Sequence, residues 1–389
     1  MSKHIKGWWL VGVAVVVAQA EFANAGENRR NFHAVNRFRI EYDDNIAQTE
    51  TNEDDSVKLI EQIDLIYNLN LDQTFLSLRY EPSFVYWSDR DDDTDFHHAF
   101  DGSLSHAFNP RISLNLKDVF RFAERPELVE RGSVVREEND YVYNSANATL
   151  SYLLRQGTRV EFSGRVVTLA YEEDFVANSQ DYDIYVGGLT LRHTLRPNTV
   201  VFGEARYEDI SYDEDARDSD TIYLGGGVEH TFNPSLLTSL RAGYQGRDFD
   251  QTERDSNDTP YVDASLTFLP SPATRISSGV SFSQYETDVS PFASQERTRV
   301  FVSIAHDLSA RISAYLTGAY TNGDFDESET PTGGVQDGSE DIVLFSARAT
   351  YKVNRANHLE VGYQLTDLDS DIRTDFTRNR VNLGWVLKL

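Results

Sequence analysis

Residues 221–247 read TIYLGGGVEHTF, then NPS, then LLTSLRAGYQGR. Leu224, Gly226, Val228, His230 and Phe232 share one side of an extended chain, and Tyr223, Gly225, Gly227 and Glu229 share the other. After the turn at Asn233-Pro234-Ser235, Thr238, Leu240, Ala242 and Tyr244 alternate with Ser239, Arg241, Gly243, Gln245 and Arg247. Period-two alternation on both sides of a tight turn predicts two antiparallel strands. One face is apolar and ends in aromatics. The other is small, polar and charged, which does not suit a packed core.

The same unit recurs along the chain. Short turns are expected at 68–72, 109–110, 155–158, 196–199, 233–235, 271–274, 309–311 and 354–357. SHAFNPRISL, RHTLRPNTVV, EHTFNPSLLT and AHDLSARISA are variants of one phrase. A propeller blade needs four short strands per repeat, whereas each repeat here holds two long ones. These strands exceed the ~9–11 residues that a tilted bilayer-spanning strand takes. Between the short turns lie longer acidic stretches: 43–55, 89–95, 125–140, 213–220, 248–258, 286–295, 322–341 and 366–375.

Short turns at one end and long loops at the other predict a transmembrane antiparallel β-barrel of about 18 strands. Turns then face the periplasm and acidic loops face outward, with both termini at the periplasmic end. A closed sheet pairs every backbone donor and acceptor without an edge. A secreted β-sandwich would instead bury the apolar face against a second sheet. It leaves unexplained the one-sided loop lengths and the aromatics at strand ends. Phe108, Phe232, Phe268 and Tyr351 stand beside short turns, and Tyr42, Tyr80, Tyr207, Tyr244 and Tyr320 stand nearer the loops, as two interfacial girdles would.

Composition agrees. The chain has 389 residues, 36 Lys+Arg against 63 Asp+Glu, no Cys, 20 Tyr and 22 Phe. A net charge of −27 disfavours nucleic acid as a partner. The mean hydropathy of −0.48 resembles that of a soluble protein, because lipid-facing and water-facing residues cancel in a barrel. Without Cys there is neither a disulfide framework nor a thiolate metal site.

Lys3 and Lys6, the apolar run 8–17 and Ala23-Asn24-Ala25 form a secretory signal, expected to be cleaved after residue 25. The apolar run is short for a membrane-anchoring helix. Residues 26–33 then make a short periplasmic tail, and the barrel runs over 34–389.

The face opposite the apolar one becomes the lumen. It is expected to carry Arg37, Arg39, Arg79, Lys117, Arg121, Arg165, Arg192, Arg206, Arg241, Arg247, Arg297, Arg299, Arg348, Lys352, Arg378 and Arg380. Fewer acids share it: Glu41, Asp64, Glu81, Asp101, Glu161, Glu204, Glu208, Glu229, Asp263 and Glu360. These charges either pair across strands or steer anionic solute through the pore. A register slip of one residue would reverse the assignment.

His106, His193, His230 and His306 each stand two residues before Phe108, Leu195, Phe232 or Leu308. They fall on different hairpins of the lipid face, which suits interfacial anchoring better than a shared metal. Residues 89–95 and Asp324-Phe325-Asp326 offer oxygen donors for Ca²⁺, but they lack the glycine and distal Glu of an EF-hand, and a solvated surface is the simpler reading. Gly225-Gly226-Gly227 lies within a strand, so it is no phosphate cradle. It is expected to relieve crowding in a curved wall. No nucleophile–base–acid grouping points to an enzyme, and no cofactor is expected.

The H-x-F-N-P turns (His106–Pro110, His230–Pro234) and the closing strand Val381–Leu389 resemble those of outer-membrane β-barrel porins of Gram-negative bacteria. The group most similar is the one associated with exopolysaccharide export, and the alginate exporters are similar more loosely. The closing strand resembles the one read by outer-membrane assembly machinery, although that usually ends in Phe or Trp rather than Leu389. The resemblance implies an outer-membrane pore, export of a polymer through a basic-leaning lumen, and periplasmic export components as partners. Two other expectations remain open: a general diffusion porin for small solutes, and a structural or adhesive barrel whose acidic loops bind cations.

Overall fold

A computed structural model describes residues 31–51, 53–88, 94–123, 140–213, 217–250, 256–287, 292, 294–329 and 335–389. The signal segment and the long stretch 125–139 lie outside them. The first half of the wall is β1 (Phe32–Asp43), β2 (Ser56–Asn70), β3 (Thr74–Trp87), β4 (Thr94–Asn109), β5 (Ile112–Ala123), β6 (Tyr141–Arg155), β7 (Thr158–Tyr171), β8 (Tyr182–Arg196) and β9 (Thr199–Tyr212). The second half is β10 (Ser219–Asn233), β11 (Leu236–Phe249), β12 (Asn257–Ser271), β13 (Thr274–Glu286), β14 (Ser294–Ser309), β15 (Ile312–Glu329), β16 (Val335–Lys352), β17 (Asn357–Ser370) and β18 (Phe376–Lys388). A short helix, α1 (Asp174–Gln180), interrupts the connection from β7 to β8.

Each strand pairs antiparallel with its chain neighbour, and β18 returns to β1, closing an 18-stranded sheet. The closing register runs from Val35↔Lys388 to Asp43↔Arg380. Closure disposes of the sandwich alternative, because there is no second sheet to cover the apolar face. That face is open instead: Leu224, Phe232, Tyr244 and Leu383 are each about 60% exposed.

The girdles stand where alternation places them. Tyr320 and Tyr363 donate their hydroxyls to Asp341 and Asn379, both at 2.7 Å. Tyr207 donates to Asp220. Each polar tip thus finds a partner while its ring stays among apolar neighbours. The outer face is not uniformly apolar. Asn144 Nδ2 donates to Asp118 Oδ1 at 3.0 Å partway along β5 and β6.

The glycine run is a seat for rings. A Cβ on Gly225 would lie 2.2 Å from the Tyr261 hydroxyl, and one on Gly227 would lie 2.4 Å from Phe202 Cζ. Gly225, Gly227 and Gly243 leave gaps on the inner faces of β10 and β11 in which Phe202 and Tyr261 lie.

Two expectations about loops change. Residues 322–341 are largely strand, because β15 and β16 continue as an extended hairpin. Above the bilayer both faces of a ribbon meet water, so an acidic sequence can extend there without an apolar stripe. The connection 172–181, which the loop assignment passes over although it opens with Glu172-Glu173-Asp174, holds α1 and folds inward.

The seam between β18 and β1 is locked by charge. Arg378 Nε and Nη2 reach the two oxygens of Asp43 at 2.9 and 2.6 Å, and Lys58 Nζ joins at 2.6 Å. Asp43 is fully buried and Arg378 and Lys58 nearly so. Removing the shared carboxylate takes the bidentate partner from buried Arg378 and leaves Lys58 to Glu41 at 3.3 Å. Asp43→Ala is expected to destabilise the barrel by ~3–5 kcal/mol, read as a lower urea midpoint in detergent. An unchanged midpoint would show that the seam does not depend on this pair.

Candidate conduction pathway

All of the arginines expected on the inner face are there, because strand register keeps them opposite the exposed apolar positions. Their partners differ around the ring. On β1–β5, Asp64 takes Arg79 at 2.6 Å and Arg37 at 3.6 Å, and Asp101 takes Arg121 at 2.7 Å. Arg79 also contacts Glu81. Arg39 donates to Gln62 at 2.8 Å, and Gln62 donates on to Glu81 at 3.1 Å. This arc is a zigzag of charge, close to neutral, as cross-strand pairing predicts.

On β8–β11 the balance shifts. Arg206 and Arg241 both reach Glu204, at 3.7 and 3.4 Å, so two cations share one carboxylate. Tyr261 donates to the same Glu204 at 2.9 Å. The Arg206 guanidinium lies 4.4 Å over the Tyr223 ring. Arg247 is buried, donating to Thr221 at 3.1 Å beside Glu208 at 3.9 Å, and Arg192 meets Glu229. On β13–β16, Arg297 and Arg348 lie over Tyr285 and Tyr315 at 5.0 and 4.9 Å, and Arg299 donates to Thr321 at 3.3 Å. Rings and hydroxyls thus stand beside cations on this arc, and the wall as a whole leans positive.

Loop side chains cover the inner wall near its outer mouth. Three loop side chains turn inward: Ile46 onto Ile60, Val85 and Trp87; Val176 of α1 onto Val167, Leu169, Ile184 and Ile210; and Phe292 onto Phe325, 5.2 Å between ring centroids. Arg217 ties two loops together, donating to the Thr287 carbonyl at 2.9 Å while lying 4.0 Å over Tyr212. These apolar patches sit at inner-face positions that the sequence reading treats as wholly polar. Alternation does not reveal them: 43–55 and 286–295 read as loops, but nothing in their sequence shows that Ile46 and Phe292 fold onto the inner wall.

Inside the wall lies a cavity of about 460 Å³ whose lining includes Arg39, Lys58, Glu81, His97, Arg121 and Arg380. Its size matches sites for small organic molecules. Lys58 and His97 are additions to the sequence reading, although Lys58 follows from its register beside Glu41. Arg165 faces the lumen on β7, away from this cavity's lining.

The four recurrent histidines face outward and stay apart. Each pairs with a threonine of the preceding strand: Thr74 with His106, Thr158 with His193, Thr199 with His230 and Thr274 with His306, at 2.8–2.9 Å. Among the described residues no group of three or more metal-binding side chains converges. Residues 89–93 of the first Ca²⁺ candidate lie outside the described residues, and Asp324 is part of β15.

A sealed antiparallel cylinder with an apolar exterior and an arginine-lined interior defines an outer-membrane pore. The chain belongs to the family described as "Putative beta-barrel porin 2", whose model matches residues 34–389. It is an outer-membrane β-barrel porin. Among solved structures it is similar to Pseudomonas aeruginosa OccK2 (OpdF) in complex with glucuronate, at 13% identity and a TM-score of 0.51, covering 92% of this chain and 98% of that one. Acinetobacter baumannii OccAB3 is similar at 12% identity and a TM-score of 0.49, covering 92% and 100%. At these identities the likeness is one of fold. No curated protein matches the chain.

One titration is set by the inward-folded loop. Asp181 Oδ1 accepts from the Tyr171 amide at 2.8 Å just after α1. Burial, aided by Asp213 and Asp183, pushes its carboxyl up to about 6 against that hydrogen bond. The folded loop therefore binds this proton more tightly than the open one. The stabilisation is complete below the ordinary carboxylate range and is lost as pH rises from about 4 to about 6. Protection of the Tyr171 amide against hydrogen exchange, corrected for intrinsic rate, should fall between pH 5 and pH 7.5. Asp181→Asn should flatten that dependence, and flat protection in the unaltered protein would contradict it.

Proposed function

We propose that this porin conducts small solutes by passive diffusion, with a preference for anions. The observation that carries the reading is an inner wall lined by arginine around the whole ring, with two cations to one carboxylate at Glu204. Guanidiniums spaced along a wall hold an anion weakly at successive positions, so it can enter and also leave. Low-dielectric walls focus the field and raise the local anion concentration.

Size argues for small solutes rather than a polymer. Ile46, Val176 and Phe292 lean inward at the mouth, and the charged cavity within has room for a small organic molecule. Polymer export, the function implied by the sequence resemblance, would want a wide, continuously hydrated bore. The loop side chains supply apolar contacts there instead.

In planar bilayers the purified protein should conduct with an anion preference of several-fold. Arg39→Glu combined with Arg380→Glu should bring that preference to unity or reverse it. In liposome swelling, monosaccharide-sized anions should enter faster than neutral sugars of equal size, and dextrans should not enter. Cation preference in the unaltered pore would overturn the charge reading. Dextran entry would restore the export reading.

A further inference from the structure

One contact repeats four times on the outer face near the periplasmic turns. At each site the register sets a threonine directly opposite a histidine: Thr74↔His106, Thr158↔His193, Thr199↔His230 and Thr274↔His306. The threonine oxygen lies 2.8–2.9 Å from the histidine Nδ1. The direction of that bond varies with the threonine's other partners: Arg155 Nε donates to Thr158 Oγ1 at 3.2 Å, whereas Thr199 Oγ1 donates to Asn198 Oδ1 at 3.4 Å, so His230 donates from Nδ1. A neutral ring that accepts at Nδ1 carries its own proton on Nε2. Phe108 and Phe232 hold His106 and His230 edge-on, with centroids 4.6 and 4.4 Å apart.

The rings are therefore oriented, with Nδ1 on the wall and Nε2 on the edge turned away from the protein. No described residue hydrogen-bonds that edge of these four rings. Each histidine stands one outward position deeper than an exposed Phe108, Leu195, Phe232 or Leu308. That is the boundary between acyl chains and headgroups, where a ring nitrogen needs a hydrogen-bond partner from the lipid.

The neighbouring turns supply the matching charge. Arg111 follows His106, Arg155 precedes Thr158, Arg196 lies between His193 and Thr199, and Arg311 follows His306; all four are exposed. Most of the exposed acidic residues lie in the loops at the opposite end; Asp72 and Asp307 stand at this rim, beside Thr74 and His306. The two rims of the barrel thus carry opposite charge. Lipid phosphates of the outer leaflet would meet the acidic rim. A polymer in the periplasm would reach the arginines but not histidines set deeper than the exposed Phe and Leu.

We propose that the periplasmic rim binds anionic glycerophospholipids of the inner leaflet at these four places. At each, a turn arginine takes the phosphate and the outward histidine Nε2 hydrogen-bonds the glycerol region of the lipid, donating to an ester oxygen or accepting from a glycerol hydroxyl as its tautomer dictates. The bound lipids would form an annulus fixed by the hairpin repeat.

The test uses the whole porin in bilayers of phosphatidylcholine carrying spin-labelled phosphatidylglycerol or phosphatidylcholine. The motionally restricted lipid should favour phosphatidylglycerol by about fivefold per site, the worth of one arginine near a charged surface. Arg→Gln at 111, 155, 196 and 311 should abolish the preference. Changing the four histidines to Asn keeps a partner for threonine, removes the outward nitrogen and should reduce restricted lipid. Changing them to Gln keeps an amide near the Nε2 position and should restore it. If the histidine variants fail to fold, the arginine variant carries the test alone. Equal association of the two lipids with the unaltered protein would overturn the proposal. So would an undiminished preference in the arginine variant, or displacement of phosphatidylglycerol by soluble peptidoglycan fragments.

Discussion

Hydrocarbon offers no hydrogen bonds to a peptide group. Every other feature of this chain follows from that constraint. A sheet in lipid must satisfy its last strand as well as its first, and here β18 does so by returning to β1. Once closed, the wall has only an outside and an inside, and the two-residue period of a strand assigns each side chain to one of them. Leucines and valines can then be exposed without cost, and arginines can be grouped without a core to disrupt.

The same closure shapes the inner chemistry. Charges on neighbouring strands of a narrow cylinder cannot avoid one another, so the lumen is a network rather than a row of independent sites. Asp64, Asp101 and Glu204 each hold cations from other strands. Such pairing keeps a wet wall ordered, and the proposed anion preference would rest on the small positive excess that remains. Aromatic rings contribute as well: Tyr223, Tyr285 and Tyr315 lie beneath guanidiniums without neutralising them.

Much of this was legible in the residues. Period-two alternation and the turn phrases located the strands, because lipid on one side and water on the other enforce the pattern over each span. The predicted turns at 155–158, 196–199 and 271–274 fall between strands as placed. Strand register sets the arginines assigned to the lumen on the face opposite exposed Leu224 and Leu383, since a slip of one residue would have turned those leucines inward. Legibility ended where the bilayer ends. Beyond the outer girdle neither face is forced to be apolar, so the extended hairpin of β15 and β16 looked like a loop. Helix α1, with Val176 resting on Val167 and Ile184, left no trace in the alternation. The cavity at Lys58 and His97 depends on strands distant in sequence, which no local pattern relates.

The lock between Asp43 and Arg378 has a temporal meaning. Its partners lie 335 positions apart, nearly the full span of the wall. Local hairpins can form as soon as both of their strands exist, but this contact waits for the last strand. An interrupted or truncated polypeptide leaves Asp43 and Lys58 facing an open edge. The final dozen residues therefore act as a checkpoint on completeness: Lys58 can reach Asp43 within the first hairpin, but only a fully synthesised molecule adds the bidentate Arg378 and withdraws its edge from other chains.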